Sequence, residues 1–212
     1  MSDPTAICMT GGDGSGKSTQ IACLTEFFEQ RKITTAAVSV WDAFTDPAVV
    51  AAMPIADPSD IYRYLKLLGP NSRPHFLFHA LHLSLERALE RRPQVLLLDG
   101  YWYKYFAAEI AHGADPVVLR SLAAAFPEPN VTFHLAIGAQ DALRRKIRHS
   151  DYESGYGDDA QAFLDFQKGV QHVLIGLAME FGWIDIEAQQ PPEEVTKIIT
   201  FQLEERGYGS DV

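Results

Sequence analysis

The stretch that decides the fold is Gly11-Gly12-Asp13-Gly14-Ser15-Gly16-Lys17-Ser18-Thr19, which satisfies the phosphate-loop pattern G-x-x-x-x-G-K-[ST]. Its glycines allow several backbone N–H groups to converge on a triphosphate, while the lysine reaches the β- and γ-phosphates and the serine hydroxyl ligates Mg²⁺. An apolar run at 6–9 precedes the loop, and a helical pattern begins after Ser18. This strand–loop–helix order predicts a nucleoside triphosphate site with Mg²⁺. The residues predicted to hold the nucleotide are Gly12, Asp13, Gly14, Ser15, Gly16, Lys17, Ser18 and Thr19.

The composition is that of an ordinary globular chain, and it limits the classes of partner. The 212 residues carry 18 Lys and Arg against 28 Asp and Glu, which gives a formal net charge of −10. This acidic balance argues against a nucleic-acid polymer or an anionic membrane surface as the main partner. The sequence has no signal-like N-terminus and no apolar run of membrane-spanning length. We therefore expect a cytoplasmic protein that forms a single domain over residues 1–212.

Strand and helix patterns alternate along the chain, as they do in a parallel sheet with crossover helices. The predicted strands are 6–9, 35–40, 95–99, 131–137 and 183–186. The predicted helices include 47–52, 59–68, 74–91 and 142–148, and a long amphipathic helix lies between the last two strands. The order predicts an α/β fold with a five-stranded parallel sheet and helices on both of its faces.

An acidic residue, Asp99, closes the apolar run at 95–98. At the carboxyl edge of a parallel sheet, such a carboxylate lies near the phosphates and the magnesium ion of a phosphate-loop protein. Asp also favours helix N-caps, so the alternative role of Asp99 is to cap the helix that follows, and the two roles are compatible. We predict that Ser18 and Asp99 are the magnesium ligands.

A basic segment follows the fourth predicted strand. Arg144, Arg145 and Arg148 fall on one helical face, and a polar, glycine-containing stretch continues to about 159. A cationic helix joined to a hinge suits a lid that closes over a phosphoryl group and stabilises the charge that develops there. The alternative is a solvated charged face. Because the phosphate loop and Asp99 are also present, we favour a lid over approximately 142–159.

Several of these segments, in this order, resemble the thymidylate kinase family. They are GGDGSGKSTQ at 11–20, LLLDGY at 96–101, the basic segment, and WIDIEAQQPPEEV at 183–195. The resemblance implies a homodimeric kinase that uses ATP and Mg²⁺ and phosphorylates a nucleoside monophosphate, dTMP or a related pyrimidine nucleotide. It also implies that Lys17 and Asp13 are catalytic, that Asp13 faces the acceptor sugar, and that the lid supplies a catalytic arginine. Arg148 is the first choice for that arginine, followed by Arg144 and Arg145.

The acceptor side departs from the pattern of the resembling family. Gly100 stands where the family has the arginine of its Asp-Arg-Tyr triplet, and Trp41 stands where a second phosphate-gripping arginine ends the second strand. Glu109 replaces the glutamine of Ala-Tyr-Gln, and His82 replaces an arginine that hydrogen-bonds the pyrimidine, whereas the base-stacking Phe78 is retained. Because one lost charge-assisted contact costs roughly 1.5–3 kcal/mol, we expect dTMP to be a poor acceptor.

The residues predicted to bind the acceptor are Trp41, Phe78, His82, Tyr101 and Lys104. Lys104, Arg63 or Arg73 would replace part of the lost positive charge. His82 shares a helical face with His75 and His79, and a cleft wall is favoured there over a metal site because only Glu86 is placed to complete a ligand set. Two alternatives stay open: a kinase of this fold with another acceptor, such as a nucleoside or modified nucleotide, and an ATP-binding module without catalysis.

Overall fold

A parallel β-sheet forms the centre of the structure, a computed structural model that describes residues 3–52, 58–146 and 150–209, the side chains of 58 and 59 excepted. Its strands are β1 (Thr5–Thr10), β2 (Thr35–Val38), β3 (Val95–Asp99), β4 (Val131–Ala136) and β5 (Ile184–Glu187). They are arranged in the order β2-β3-β1-β4-β5, and every neighbouring pair is parallel. The predicted α/β fold with five parallel strands is confirmed.

Helices cover both faces of this sheet. The α-helices are α1 (Lys17–Glu29), α2 (Pro47–Ala52), α3 (Pro58–Leu67), α4 (Arg73–Glu90), α5 (Tyr101–Ala111), α6 (Pro116–Ala123), α7 (Ala139–Arg145), α8 (Ala160–Phe181) and α9 (Pro192–Glu205). On one face, α1 and α9 contribute to the apolar core that contains Ile7, Leu97 and Phe133. On the other, α4, α5 and α8 contribute to a larger core that contains Cys8 and Leu98. Neighbouring strand residues thus face opposite cores, because side chains alternate along a strand.

Two elements differ from the sequence-based prediction by more than one residue at an end. The strand β2 ends at Val38, because Ser39 begins a 3₁₀ turn over Val40–Phe44 and forms a capping box with Asp42. The Ser39 N–H donates to Asp42 Oδ2 at 2.7 Å, which turns the chain away from the sheet and brings Trp41 towards the carboxyl edge. The helix α7 begins before the predicted basic helix and ends at Arg145, since Lys146 has an extended backbone.

Within the parts of the chain that the structure describes, no helix has both the length and the apolar character needed to cross a membrane.

Candidate nucleotide site

The phosphate loop connects β1 to α1 at the carboxyl edge of the sheet, and its glycines are required by both backbone conformation and space. Gly11, Gly14 and Gly16 have φ angles of +148°, +81° and +96°. A Cβ atom on Gly11 would lie 2.7 Å from the carbonyl oxygen of Leu135, and one on Gly14 would lie 2.8 Å from that of Ala142. The loop is therefore packed against β4 and α7, so that a larger residue at either position would displace it.

Lys17 is buried within the curve of this loop. Its Nζ donates to the carbonyl oxygens of Gly11 at 3.1 Å and Gly12 at 2.8 Å. Burial, together with the nearby positive charge of Lys104, lowers the pKa of Lys17 to about 8, although the carboxylates of Asp13 and Asp99 oppose that shift. The ammonium group of Lys17 is thus held where the loop would bind a phosphate. Burying this group in its charged form costs free energy.

Ser18 and Asp99 meet at the mouth of the loop. The Ser18 hydroxyl donates to Asp99 Oδ2 at 2.7 Å, because the parallel pairing of β1 with β3 sets Met9 beside Asp99. The alternative capping role is not observed: the N-cap of α5 is Gly100, and no side chain caps it. One hydroxyl and one carboxylate fit Mg²⁺, which takes few protein ligands and keeps waters or phosphate oxygens. Among the described residues, no group of three or more His, Cys, Asp or Glu is placed to hold a metal, so the three histidines of α4 form no such site there.

Asp13 is the buried acid of the loop, and it forms an ion pair with Lys104 on α5. The Lys104 Nζ lies 2.6 Å from Asp13 Oδ1. Burial alone would raise the pKa of Asp13, but the positive charges of Lys104 and Lys17 outweigh burial and hold that pKa well below its usual range. In the same way, burial would lower the pKa of Lys104, but the charge of Asp13 raises it. Both side chains are therefore charged at neutral pH.

The path of Lys104 explains why residue 100 is a glycine. A Cβ atom at Gly100 would lie 3.2 Å from both Cβ and Cδ of Lys104, so the lysine side chain runs over the glycine on its way to Asp13. Gly100 also has a φ of +75°, and Tyr101 after it has a φ of +50°. Lys104, one helical turn after Gly100, thus brings a positive charge to Asp13.

A cavity of about 820 Å³ adjoins all of these groups. Its wall extends from the phosphate loop to the turn before α9. The remaining lining residues are Ser39, Trp41, Asp99, Lys104, Tyr105, Arg145, Lys146, Glu153, Ala188, Gln189, Gln190, Pro191, Pro192 and Val195. Within the cavity, Lys146 pairs with Glu153, with 2.5 Å between Nζ and Oε1. The volume is within the range of small-molecule sites.

Of the predicted acceptor residues, Trp41 and Lys104 line this cavity, whereas the other three lie elsewhere. Phe78 is 2% exposed, and its ring packs edge-on against Phe126 with centroids 5.8 Å apart. The His82 ring lies 4.1 Å from the same phenylalanine. Tyr101 is fully buried, and its hydroxyl donates to a backbone carbonyl, that of Pro127, at 2.8 Å. These three side chains do not line this cavity in the structure, and each of their rings packs against Phe126 instead.

The predicted lid arginines are not gathered at the phosphate loop in the part of the structure that is described. Arg148, the first choice, lies outside the described residues. Arg144 is exposed and pairs with Asp141 at 2.9 Å, beside a separate cavity of about 350 Å³. Arg145 lines both cavities. Of the other candidates for replacing lost charge, Arg63 has a side chain that is 80% exposed.

Sequence reasoning missed a buried ion pair beneath the acceptor side. Arg73 and Glu109 are 4% and 0% exposed, and Arg73 Nε lies 2.9 Å and 3.0 Å from the two carboxylate oxygens. The Tyr152 hydroxyl donates to Glu109 at 2.9 Å, and the Tyr156 hydroxyl lies 3.4 Å from the Arg73 guanidinium. Arg73 is thus paired to Glu109 and does not replace the missing phosphate contact. The available signal was Glu109, the single acid of helix α5.

A phosphate loop at the carboxyl edge of a five-stranded parallel sheet, with a hydroxyl and a strand-closing carboxylate at its mouth, defines the class of phosphate-loop α/β proteins. The chain is 25% identical over 200 residues to a probable thymidylate kinase of Sulfurisphaera tokodaii, across 92% of this chain and 93% of that protein. It is 24% identical over 196 residues to a thymidylate kinase of Dictyostelium discoideum, across 92% and 82%. No model of a protein family matches. These matches show a distant relationship to the thymidylate kinases.

Proposed function

We propose that this chain transfers the γ-phosphoryl group of ATP to a nucleoside monophosphate, dTMP or a related pyrimidine nucleotide. The observation that carries the proposal is the position of Asp13 between two lysines, Lys17 of its own loop and Lys104 of α5. The first lysine belongs to the donor side, and the second reaches the same cavity from the acceptor side. The relationship to the thymidylate kinases supports a nucleotide kinase.

The donor side rests on the phosphate loop and on the start of α1. No side chain of the described residues caps this helix, so its first N–H groups are available to the phosphates of ATP. Lys17 would exchange the carbonyls it now contacts for phosphate oxygens. Ser18 and Asp99 would hold Mg²⁺, which when bound offsets the negative charge of the β- and γ-phosphates. The nucleoside part of ATP would lie at the end of the cavity that residues 188–192 line.

On the acceptor side, Lys104 would donate to the acceptor phosphate and Asp13 would face the acceptor sugar. The half-buried Trp41 would contact the base of the acceptor. A lid over approximately 142–159 remains our prediction, with Arg148 as its catalytic arginine and Arg144 as the alternative. To act as the catalytic arginine, Arg144 would have to break its ion pair with Asp141. A single domain over residues 1–212 and a homodimer are likewise proposals.

A second candidate is a kinase of the same fold whose acceptor carries no phosphate, such as a nucleoside. Two observations favour it. The Lys104 charge is already neutralised by Asp13, and that of Lys146 by Glu153, so these cations of the cavity have carboxylate partners. An indole, Trp41, lines the wall where the resembling family has a phosphate-gripping arginine. An aromatic ring there suits a planar base better than an anion.

The test is a panel of acceptors coupled to ADP release. It contains dTMP, dUMP, thymidine, deoxyuridine and a purine nucleotide, each with ATP and Mg²⁺ at fixed salt. We expect turnover of at least one pyrimidine nucleotide, with dTMP used less efficiently than by ordinary members of the family. Turnover of the nucleosides without the monophosphates would establish the second candidate. ATP binding with no ADP from any acceptor would leave only the non-catalytic binding module.

Two variants separate the donor and acceptor sides. Lys17→Ala should abolish measurable ATP binding, because it removes the one cation inside the loop. Lys104→Met should raise the KM of a monophosphate acceptor about 10–100-fold while the Kd of ATP stays within about threefold, since one charge-assisted phosphate contact is lost. Lys168→Met on the exposed face of α8 is the matched control. An acceptor KM that does not change in Lys104→Met would remove Lys104 from the acceptor site.

A further inference from the structure

One fully buried amide, Gln167 of α8, lies between the phosphate loop and the segment 150–157. Its Oε1 accepts from the backbone N–H of Asp13 at 3.1 Å. Its Nε2 donates to Asp13 Oδ2 at 3.3 Å and to the backbone carbonyl oxygen of Glu153 at 3.0 Å. The approach to the loop is close, because a Cβ atom on Gly12 would lie 3.2 Å from Oε1. Each polar atom of this amide is therefore engaged.

An amide suits this position better than any other side chain of its size. The side chain at 167 accepts a hydrogen bond from the N–H of Asp13 and donates one to the carboxylate of Asp13. A carboxylate or an alkyl side chain at this position cannot do both. Two contacts to Asp13, one through the backbone and one through the side chain, fix the direction of its carboxylate. The second carboxylate oxygen of Asp13 is then left for Lys104.

The segment 150–157, which Gln167 contacts through Glu153, is also held in place. Tyr152 is 4% exposed and Ser154 is 2% exposed, so the segment 150–157 is packed into the protein on both sides of Glu153. Tyr152 donates to the buried carboxylate of Glu109, while the Glu153 carboxylate pairs with Lys146 in the cavity. Because the amide touches the backbone of Glu153, a shift of this segment also shifts the hydrogen bonds of Asp13.

We propose that Gln167 is a positioning residue that couples the segment 150–157 to the phosphate loop and orients Asp13 towards the acceptor. The proposal rests on the proposed function only in the role it gives Asp13. The coupling between the segment and the loop stands on the geometry alone. It predicts that the loop and the segment lose order together when the amide is removed.

The first test uses hydrogen exchange and requires no activity. In Gln167→Met, which keeps the size but removes the polar atoms, we expect amide exchange to rise at least about tenfold in both 12–16 and 150–157. This corresponds to a loss of about 1.4 kcal/mol in local stability. The control is Gln161→Met on the same helix, where the exposed Gln161 Nε2 donates to Asp165 at 2.9 Å. Wild-type exchange in either segment of Gln167→Met would overturn the coupling.

The second test is kinetic and uses Gln167→Glu, with Gln161→Glu as the matched control. At pH 8, the new carboxylate would face Asp13 Oδ2 and the carbonyl of Glu153, so kcat/KM for the acceptor should fall about 10–100-fold while the ATP Kd stays within about threefold. The charged groups around this position are Asp13 and Lys17 of the loop, Lys104 of α5, and the Lys146–Glu153 pair.

Acidic pH should rescue Gln167→Glu in part. Burial beside Asp13 favours the protonated carboxyl, which regains a donor for that aspartate as the pH falls from 8 to 6. The ratio of variant to wild-type kcat/KM should therefore rise several-fold over this range, whereas the ratio for Gln161→Glu should stay flat. A flat ratio for Gln167→Glu, or equal losses of ATP binding and turnover, would reduce Gln167 to a structural role. If Gln167→Met does not fold, hydrogen exchange of Gln167→Glu at pH 8 tests the coupling in its place, and wild-type exchange in either segment would overturn it. A wild type without turnover would refute only the proposed kinase and would leave hydrogen exchange to decide the coupling.

Discussion

The lowered pKa of Lys17 predicts an unusual dependence of ATP binding on pH. Its pKa is about 8, because the ammonium group is buried and lies near Lys104. If ATP binds only the protonated lysine, the apparent Kd increases by the factor 1 + 10^(pH − pKa). That factor is about 1.1 at pH 7 and about 11 at pH 9. The Kd of ATP should therefore increase roughly tenfold between these pH values, which is a loss of about 1.4 kcal/mol in binding free energy. For a lysine of ordinary pKa, about 10.4, the change would be below about 1.1-fold.

The assay is isothermal titration of Mg·ATP into the protein at constant ionic strength from pH 7 to 9. At pH 8, repeating the titration in two buffers with different ionisation enthalpies should show uptake of about half a proton per ATP bound. Lys17→Arg is the control, because a guanidinium stays charged over this range and the affinity of the variant should not depend on pH. An equal ATP Kd at pH 7 and pH 9 in the wild type would refute the assignment of a buried lysine to the phosphates.

The same pKa has a consequence for the ligand-free protein. Between pH 8 and the ordinary lysine pKa of 10.5, the unfolded chain binds more protons at Lys17 than the folded protein does. The free energy of unfolding should therefore rise with pH over this window, and below pH 8 the full cost of burying the charge is present. Lys17→Met should remove that cost and raise the unfolding free energy at pH 7 by about 1–3 kcal/mol, while ATP binding is lost. Urea denaturation measures the change.

Three further predictions concern packing around the site. Glu109→Gln should lower the free energy of unfolding, measured by urea denaturation, by about 3–5 kcal/mol, because it leaves the buried Arg73 charge without its carboxylate. The double variant Arg73→Met/Glu109→Leu should stay within about 1 kcal/mol of wild type. Equal losses in the two variants would contradict this. Gly11→Ala should destabilise by at least about 2 kcal/mol more than Gly16→Ala, because only the former would meet a carbonyl oxygen at 2.7 Å, and thermal unfolding compares the two. Tyr101→Phe should lose about 1 kcal/mol of stability but keep its acceptor KM, since the ring lies outside the cavity lining; a tenfold KM change would return Tyr101 to the acceptor site.

The donor half of the site could be predicted from the sequence because its determinants are local. The phosphate loop is one continuous stretch, and Gly11, Gly14 and Gly16 in it each have a positive φ angle. The central strands β1 and β3 could be predicted because a parallel sheet that is buried on both faces requires short, continuous apolar runs, whereas the edge strand β5 alternates isoleucine with acidic residues. Once these strands are parallel, their carboxyl ends share one edge, so Asp99 reaches Ser18.

The acceptor half could not be predicted in this way, because it depends on which helix faces meet. Phe78 and His82 share a helix with Arg73, yet only the packing of α4 decides that the first two contact Phe126 and that Arg73 pairs with Glu109 of α5. A correspondence of motifs places residues along a helix but does not say which of its sides faces the cavity.

By itself, the sequence determined the phosphate loop, the parallel sheet and the edge of that sheet at which the loop lies, since each follows from residues close together in the chain. Only the tertiary structure decided that Lys104 runs over Gly100 to Asp13, and that Gln167 joins this aspartate to Glu153. Gln167 is 154 residues away from Asp13 in the chain, and contacts of this separation form only when the helices pack on the sheet.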